Sequence, residues 1–185
     1  MPNIAQYHPQ IVHFVIALLV LGVGFRLVSL IRRPSFTDYA AASLLLIGTG
    51  AAVAAVRSGT DAHGPVERIP GARAQVVEHE EDGQRTRNVF LGVAIIELAA
   101  LGLARKPTWT RYVRYAHFAS ALVGVVGLAA LYETAEHGGE LVYSYAGGPG
   151  LRTGEPQDVQ RLLLAGLHHQ SRVDRREGRL EESAT

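Results

Sequence analysis

"YHPQIVHFVIALLVLGVGFRLVSLI", residues 7–31, decides the fold. From Ile11 to Ile31 the stretch is nearly unbroken apolar sequence. That is close to the ~20 residues a helix needs to cross the hydrocarbon of a bilayer. Three further runs follow: Ala40 to Val56, Val89 to Ala104 and, with a few small or polar breaks, Ala116 to Leu131. The chain has 185 residues, of which 48% are hydrophobic, and a formal net charge of +1. Spread evenly, that composition suits one soluble domain; bunched in four runs, it does not. The sequence therefore predicts an all-α integral membrane four-helix bundle over residues 1–150. A polar C-terminal extension, residues 151–185, is expected to hold one short extra-membrane helix.

The chain carries no cysteine. Disulfides, iron–sulfur clusters and thiolate metal sites are excluded. The opening "MPNIAQYHPQ" lacks a basic segment, and no small-residue cleavage site ends the first run, so the first helix is expected to stay in the mature chain. Arg26, Arg32 and Arg33 are read as charge flanking helix one, and Arg105, Lys106, Arg111 and Arg114 as charge in the third connection. Both short loops are basic and are expected to face the cytoplasm. Both termini and the middle loop then face outward. The arginines of the tail lie far from the last helix, where they count little.

Glycines recur along all four runs and favour close helix approach where lipid gives no hydrophobic drive to associate. Pro9 suits the first turn of helix one, and Pro34 and Pro107 punctuate the basic loops. A long middle loop is expected from Ser58 to Asn88. Its first half, "SGTDAHGPVERIPG", is turn-like; its second half extends helix three above the membrane. Thr153, Pro156, Val159, Leu162, Leu163 and Gly166 give the short amphipathic helix of the extension. The sequence after His169 is polar and reads as a solvated end, or as a tail ordered by a partner.

Antiparallel threading gathers five histidines at one end of the bundle: His8, His13, His63, His79 and His137. Asp61, Glu78, Glu80, Glu81 and Glu136 lie near them, and His117 lies towards the basic end. Imidazole is a common ligand for iron, copper and zinc, and carboxylates complete such spheres. Three readings stand side by side. The histidines satisfy backbone groups and loop carboxylates at the interface; or His13 and His79 hold a haem; or His8, His63 and His137, with Asp61, hold another metal. His13 lies just inside the apolar run and is expected to point inward, to a residue between Gly59 and Glu81 or to a cofactor. The haem reading requires helix three to bend or to start early, because a straight helix places His79 roughly 10 Å above the membrane edge.

Glu97 lies near the middle of helix three, where a carboxylate facing lipid is costly. It is expected to face other helices, as a hydrogen-bonding acid, a proton-handling group or part of a quinone pocket. His117, Tyr115, Ser43 and Thr49 are its candidate neighbours.

The opening stretch and three later ones resemble the bacterial four-helix membrane family catalogued as domain of unknown function 2231. The family opens on HP, two residues, then VHF; here His8, Pro9, Val12, His13 and Phe14 match, with Val15 in place of a following proline. "SGTD" supplies Gly59 and Asp61 at the end of helix two, and His79 matches a histidine before helix three. At the end of helix four Gly138, Gly139, Leu141, Val142 and Tyr143 match, while Tyr145 and Ala146 replace the usual His-Gly. The likeness covers roughly residues 7–150. It implies the fold and a place in the bacterial cytoplasmic membrane, and by analogy with four-helix membrane cytochromes it raises the haem reading.

Two function classes follow. One is an electron-transfer protein carrying a b-type haem or a transition metal at the outer face. The other is a cofactor-free accessory subunit of a larger respiratory or photosynthetic membrane complex. A transporter or enzyme ranks third, since no nucleophile constellation, phosphate loop or broken-helix pair is present. Nucleic acid is not an expected partner, because the basic residues are divided between two membrane faces.

Overall fold

The computed structural model describes residues 3–31, 36–148 and 156–179. Helix α1 spans His8–Ile31 and is entered through a 3-10 turn at Ala5–Tyr7. Helix α2 spans Thr37–Glu67, α3 Arg73–Leu103, α4 Thr110–Tyr143 and α5 Pro156–Arg176. The first four are each long and apolar enough to cross a membrane. No strand occurs among the described residues. Helix α1 packs on α2, α2 on α3 and α3 on α4, and α4 closes the ring on α1.

The bundle is tight where side chains are small. A Cβ on Gly48 would stand 2.7 Å from Leu19, and one on Gly22 would stand 2.9 Å from Leu45. Each glycine thus receives a leucine of the facing helix, and the two backbones approach as small-residue membrane interfaces do. Leu19, Leu45, Phe90 and Val93 are fully buried at the centre of the resulting core. Exposed apolar residues such as Phe14, Ile47, Ile95 and Phe118 cover the outside of the same spans, as a lipid-facing surface requires.

The expected long middle loop is mostly helix. Helix α2 runs on to Glu67, α3 starts at Arg73, and only residues 68–72 connect them. Gly71 takes the left-handed conformation there, φ +84°. Pro65 had read as a loop residue, but it lies in the last turn of α2, which ends two residues later. The segment from Arg73 to Asn88 is rich in glutamate, glutamine and arginine, which are good helix formers. Extension is also rewarded by packing. Val66, Ala72, Val76 and Leu141 form a second apolar cluster, separate from the main core, with Ile69 and Tyr145 packed on it. Three helices therefore project past the start of α1, and α2 continues nine residues beyond Ser58, about 14 Å.

The helix of the extension is also longer than expected. It continues past His168 and His169 to Arg176 and stops before Gly178, whose φ is +79°. The residues straight after His169, expected as an irregular polar end, are thus helical, while most of them stay exposed as expected. Thr153 and the proposed division at residue 150 lie outside the described residues, as do Arg32, Arg33 and Pro34.

Candidate functional site

At the histidine-rich end, α1 begins with His8 facing α2. The Nδ1 of His8 lies 2.9 Å from the Oγ of Ser58, and that hydroxyl donates to the carbonyl of Ala55 at 2.9 Å. With its hydrogen so directed, the hydroxyl accepts from His8, which places the proton of His8 on Nδ1. From α3, His79 places its Nδ1 3.0 Å from the carbonyl oxygen of Thr134 on α4. A carbonyl only accepts, so His79 also carries its proton on Nδ1. The two rings have centroids 6.2 Å apart and cross at 82°. Among the described residues neither Nε2 has a hydrogen-bond partner. In this tautomer each Nε2 presents a lone pair.

Two glycines make room for these rings. A Cβ on Gly59 would stand 3.2 Å from Cε1 of His8, and one on Gly138 would stand 2.8 Å from Cε1 of His79. Ser58 is fully buried beside them. Each imidazole is therefore fixed by one hydrogen bond and one glycine notch.

The other candidates have different partners. His13 is exposed; its Nδ1 lies 2.6 Å from the carbonyl of Pro9 in its own helix. The structure brings His79 to His8 rather than to His13. His63 contacts Glu80 at 2.6 Å and Glu67 at 3.6 Å. Asp61 pairs with Arg57 and accepts from the backbone N–H of Ile4 at 3.1 Å. His137 contacts Asp82 at 2.7 Å and Glu78 at 3.9 Å. Thus His8, His63, His137 and Asp61 each sit in a separate contact. No group of three or more histidine, aspartate or glutamate residues among the described ones is arranged around one ion position.

A second polar layer lies towards the basic end. Arg26, expected to flank helix one, is instead completely buried between the helices. Its Nε donates to Oε1 of Glu97 at 2.8 Å, its Nη2 donates to Oε2 of Glu97, and its Nη1 donates to Asp38 at 2.9 Å. Ser29 accepts a further bond at 3.2 Å, and the hydroxyl of Ser120 on α4 donates to Glu97. His117 approaches Asp38 at 3.5 Å. Glu97 is itself fully buried, so it faces protein and not lipid. The fork-to-fork pairing of guanidinium and carboxylate is the strongest side-chain arrangement of its kind. Thr49 bonds backbone at Leu45 and Phe90 instead of Glu97. Ser43 and Tyr115 are exposed, and Tyr115 accepts from Arg111.

Arg26, Asp38 and Ser120 were missed as partners of Glu97. The signal for Arg26 was present. It stands five residues inside the end of its apolar run, and Glu97 stands six residues from the same end of α3. Opposite charges at equal depth in one small bundle have little choice but to meet.

The model of the family described as predicted membrane protein, DUF2231, matches residues 5–149. The chain belongs to that family. No curated protein and no solved structure matches it. The match takes in His8, Ser58, Gly59, His79, Thr134 and Gly138, so the whole histidine pair of this DUF2231 chain lies within the family's extent.

Proposed function

We propose that this DUF2231 protein is an integral membrane electron-transfer protein in which His8 and His79 hold a b-type haem iron or another transition metal. What supports the reading is the state of the two imidazoles. Metal-binding histidines characteristically donate one ring N–H to a carbonyl or hydroxyl, which fixes the tautomer and leaves the other nitrogen to bind. His8 and His79 both do this. The two rings also lie side by side, with centroids 6.2 Å apart, so one group bound between them would be within reach of both. With only two protein ligands, the rest of the coordination sphere comes from a macrocycle or from small ligands. The bound iron or metal would supply the one-electron chemistry. The protein's part is to orient both rings and to keep their Nε2 atoms unprotonated.

The proposed topology places the histidine-rich end outside the bacterial cytoplasmic membrane. Arg26 is buried and does not count, and Arg111 and Arg114 lie in the first turns of α4 rather than in the third connection, but with Arg105 and Lys106 they still gather basic charge at the opposite end, as Arg32 and Arg33 do by their place in the sequence.

The test is spectroscopic. Membrane-extracted protein is expected to show a Soret band that shifts on reduction, or a stoichiometric transition metal by elemental analysis. His8→Ala and His79→Ala should each lose it while His13→Ala keeps it. A colourless, metal-free protein that co-purifies with a respiratory or photosynthetic complex would overturn the proposal in favour of an accessory subunit.

A further inference from the structure

Helix α5 divides its residues more sharply than the other α-helices among the described residues. Val159, Leu162, Leu163, Leu167 and Val173 fall on one side at helical spacing. Arg161, Arg172, Arg175 and Arg176 fall together on the other. The apolar side is bare: Leu163 is 62% exposed and Leu167 68%. Leu162 lies at the rim of a cavity with Pro65, Ile69 and Tyr145. Asp174 falls within the apolar arc, but it is closed off by bonds from Gln170 and Arg179. Those bonds hold its carboxyl below the usual carboxylate range.

We propose that α5 lies flat on the bilayer beside its own bundle, with Leu163 and Leu167 in the acyl boundary and its arginines on anionic lipid headgroups. Three observations select a lipid surface as the occupant. A short apolar stripe backed by arginine, on a helix of low mean hydropathy, is the composition of interfacial helices. The charge is complementary: four arginines against two aspartates within Pro156–Arg176, facing a surface of phosphate and phosphatidylglycerol-type headgroups. The bilayer is also within reach. Helix α4 ends at Tyr143, five residues or about 8 Å past Gly138, which packs on His79; with the His79 level itself about 10 Å above the membrane edge, the gap to the bilayer is on the order of 20 Å. The twelve residues from 144 to 155 can span up to about 40 Å. A helix tethered so closely to a membrane span meets that membrane at high effective concentration.

The absence of cysteine makes the test clean. Leu163→Cys, Leu167→Cys and Arg172→Cys are introduced singly into the full chain and carry an environment-sensitive fluorophore in vesicles. In vesicles containing phosphatidylglycerol, the labels at 163 and 167 should shift to the blue and be quenched by nitroxide-bearing lipid chains. The label at 172 should remain accessible to aqueous iodide. Replacing the anionic lipid by phosphatidylcholine should reduce the quenching at 163 and 167 several-fold. Equal iodide access at all three positions in every vesicle would overturn the proposal. So would burial at 163 that disappears on diluting the protein within the membrane, which would assign the apolar side to a second copy of the chain.

Discussion

The bundle holds two polar layers, one towards each end, and they solve the burial problem in opposite ways. At the basic end, Arg26 and Glu97 are both fully buried and mutually satisfied. Every donor of the guanidinium has a use, shared among the carboxylates of Glu97 and Asp38, the hydroxyl of Ser29 and the backbone carbonyl of Asp38. At the histidine-rich end, His8 and His79 are held just as firmly, but each keeps one nitrogen unspent. The first layer is closed; the second is open. A closed network serves register and helix pairing, since α1, α2, α3 and α4 all contribute to it. An open pair is what a ligand needs. The difference separates a structural cluster from a candidate site more cleanly than charge or burial alone.

The largest effect is expected where the closed layer is broken on one side. Glu97→Ala leaves the Arg26 guanidinium buried with only the half-exposed Asp38 as a carboxylate partner. Removing one partner of a buried pair typically destabilises by about 3–5 kcal/mol. Denaturant titration in detergent should report a loss of that order. The double variant Arg26→Met with Glu97→Leu should recover most of it, because replacing both charges with apolar groups is often nearly neutral. If the double variant is as damaged as the single one, the layer does more than pair helices. Glu97→Gln keeps an acceptor for Arg26 and should fall between the two.

Much of the fold was legible in the sequence, for a simple reason. A span is declared by its own hydropathy, and each of the four runs could be read without its neighbours. The helices beyond the membrane were harder to read. Residues 59–67 and 73–79 carry glycine, proline and charge, and their reason to be helical is a contact among Val66, Val76 and Leu141 that no single segment shows. The candidate site fell between these cases. That His79 and a histidine of α1 belong together was readable from the threading. Which one was a matter of helix phase: five residues turn about 140°, so His8 and His13 cannot both face α2 and α3. Arg26 was legible too, but a charge near the end of a run reads as a flank unless its opposite is sought at the same depth.

A smaller effect is expected from the notches of the open layer. Gly138 and Gly139 are adjacent and differ only in what they face. A Cβ at 138 would stand 2.8 Å from the His79 ring, whereas one at 139 would meet nothing within 4 Å. The ring is tied to Thr134 and has little freedom to retreat. Gly138→Ala should therefore destabilise by about 1–3 kcal/mol, as overpacking does, and displace His79 from its carbonyl. Gly139→Ala should be neutral or stabilising, by up to about 1 kcal/mol from helix propensity. Thermal unfolding of the two variants side by side measures the contrast. Equal behaviour would mean that His79 is not held by the notch.

The smallest effect is expected at the residue that the opening motif makes most conspicuous. His13 looks placed for an inward role, at the edge of the apolar run and five residues after His8. Its ring is exposed and bonds only to the carbonyl of Pro9, one turn back in α1. That carbonyl already belongs to the first turn, and the bond adds no contact to another helix. His13→Ala should change stability by no more than about 0.5 kcal/mol, as surface substitutions away from special features do. His8→Ala should cost more, because it strands the buried hydroxyl of Ser58 without its imidazole donor and opens space beside Gly59. The comparison needs only the two variants and one unfolding assay. A large loss at His13 with little at His8 would reverse the assignment of the pair, and with it the claim that helix phase chooses between them.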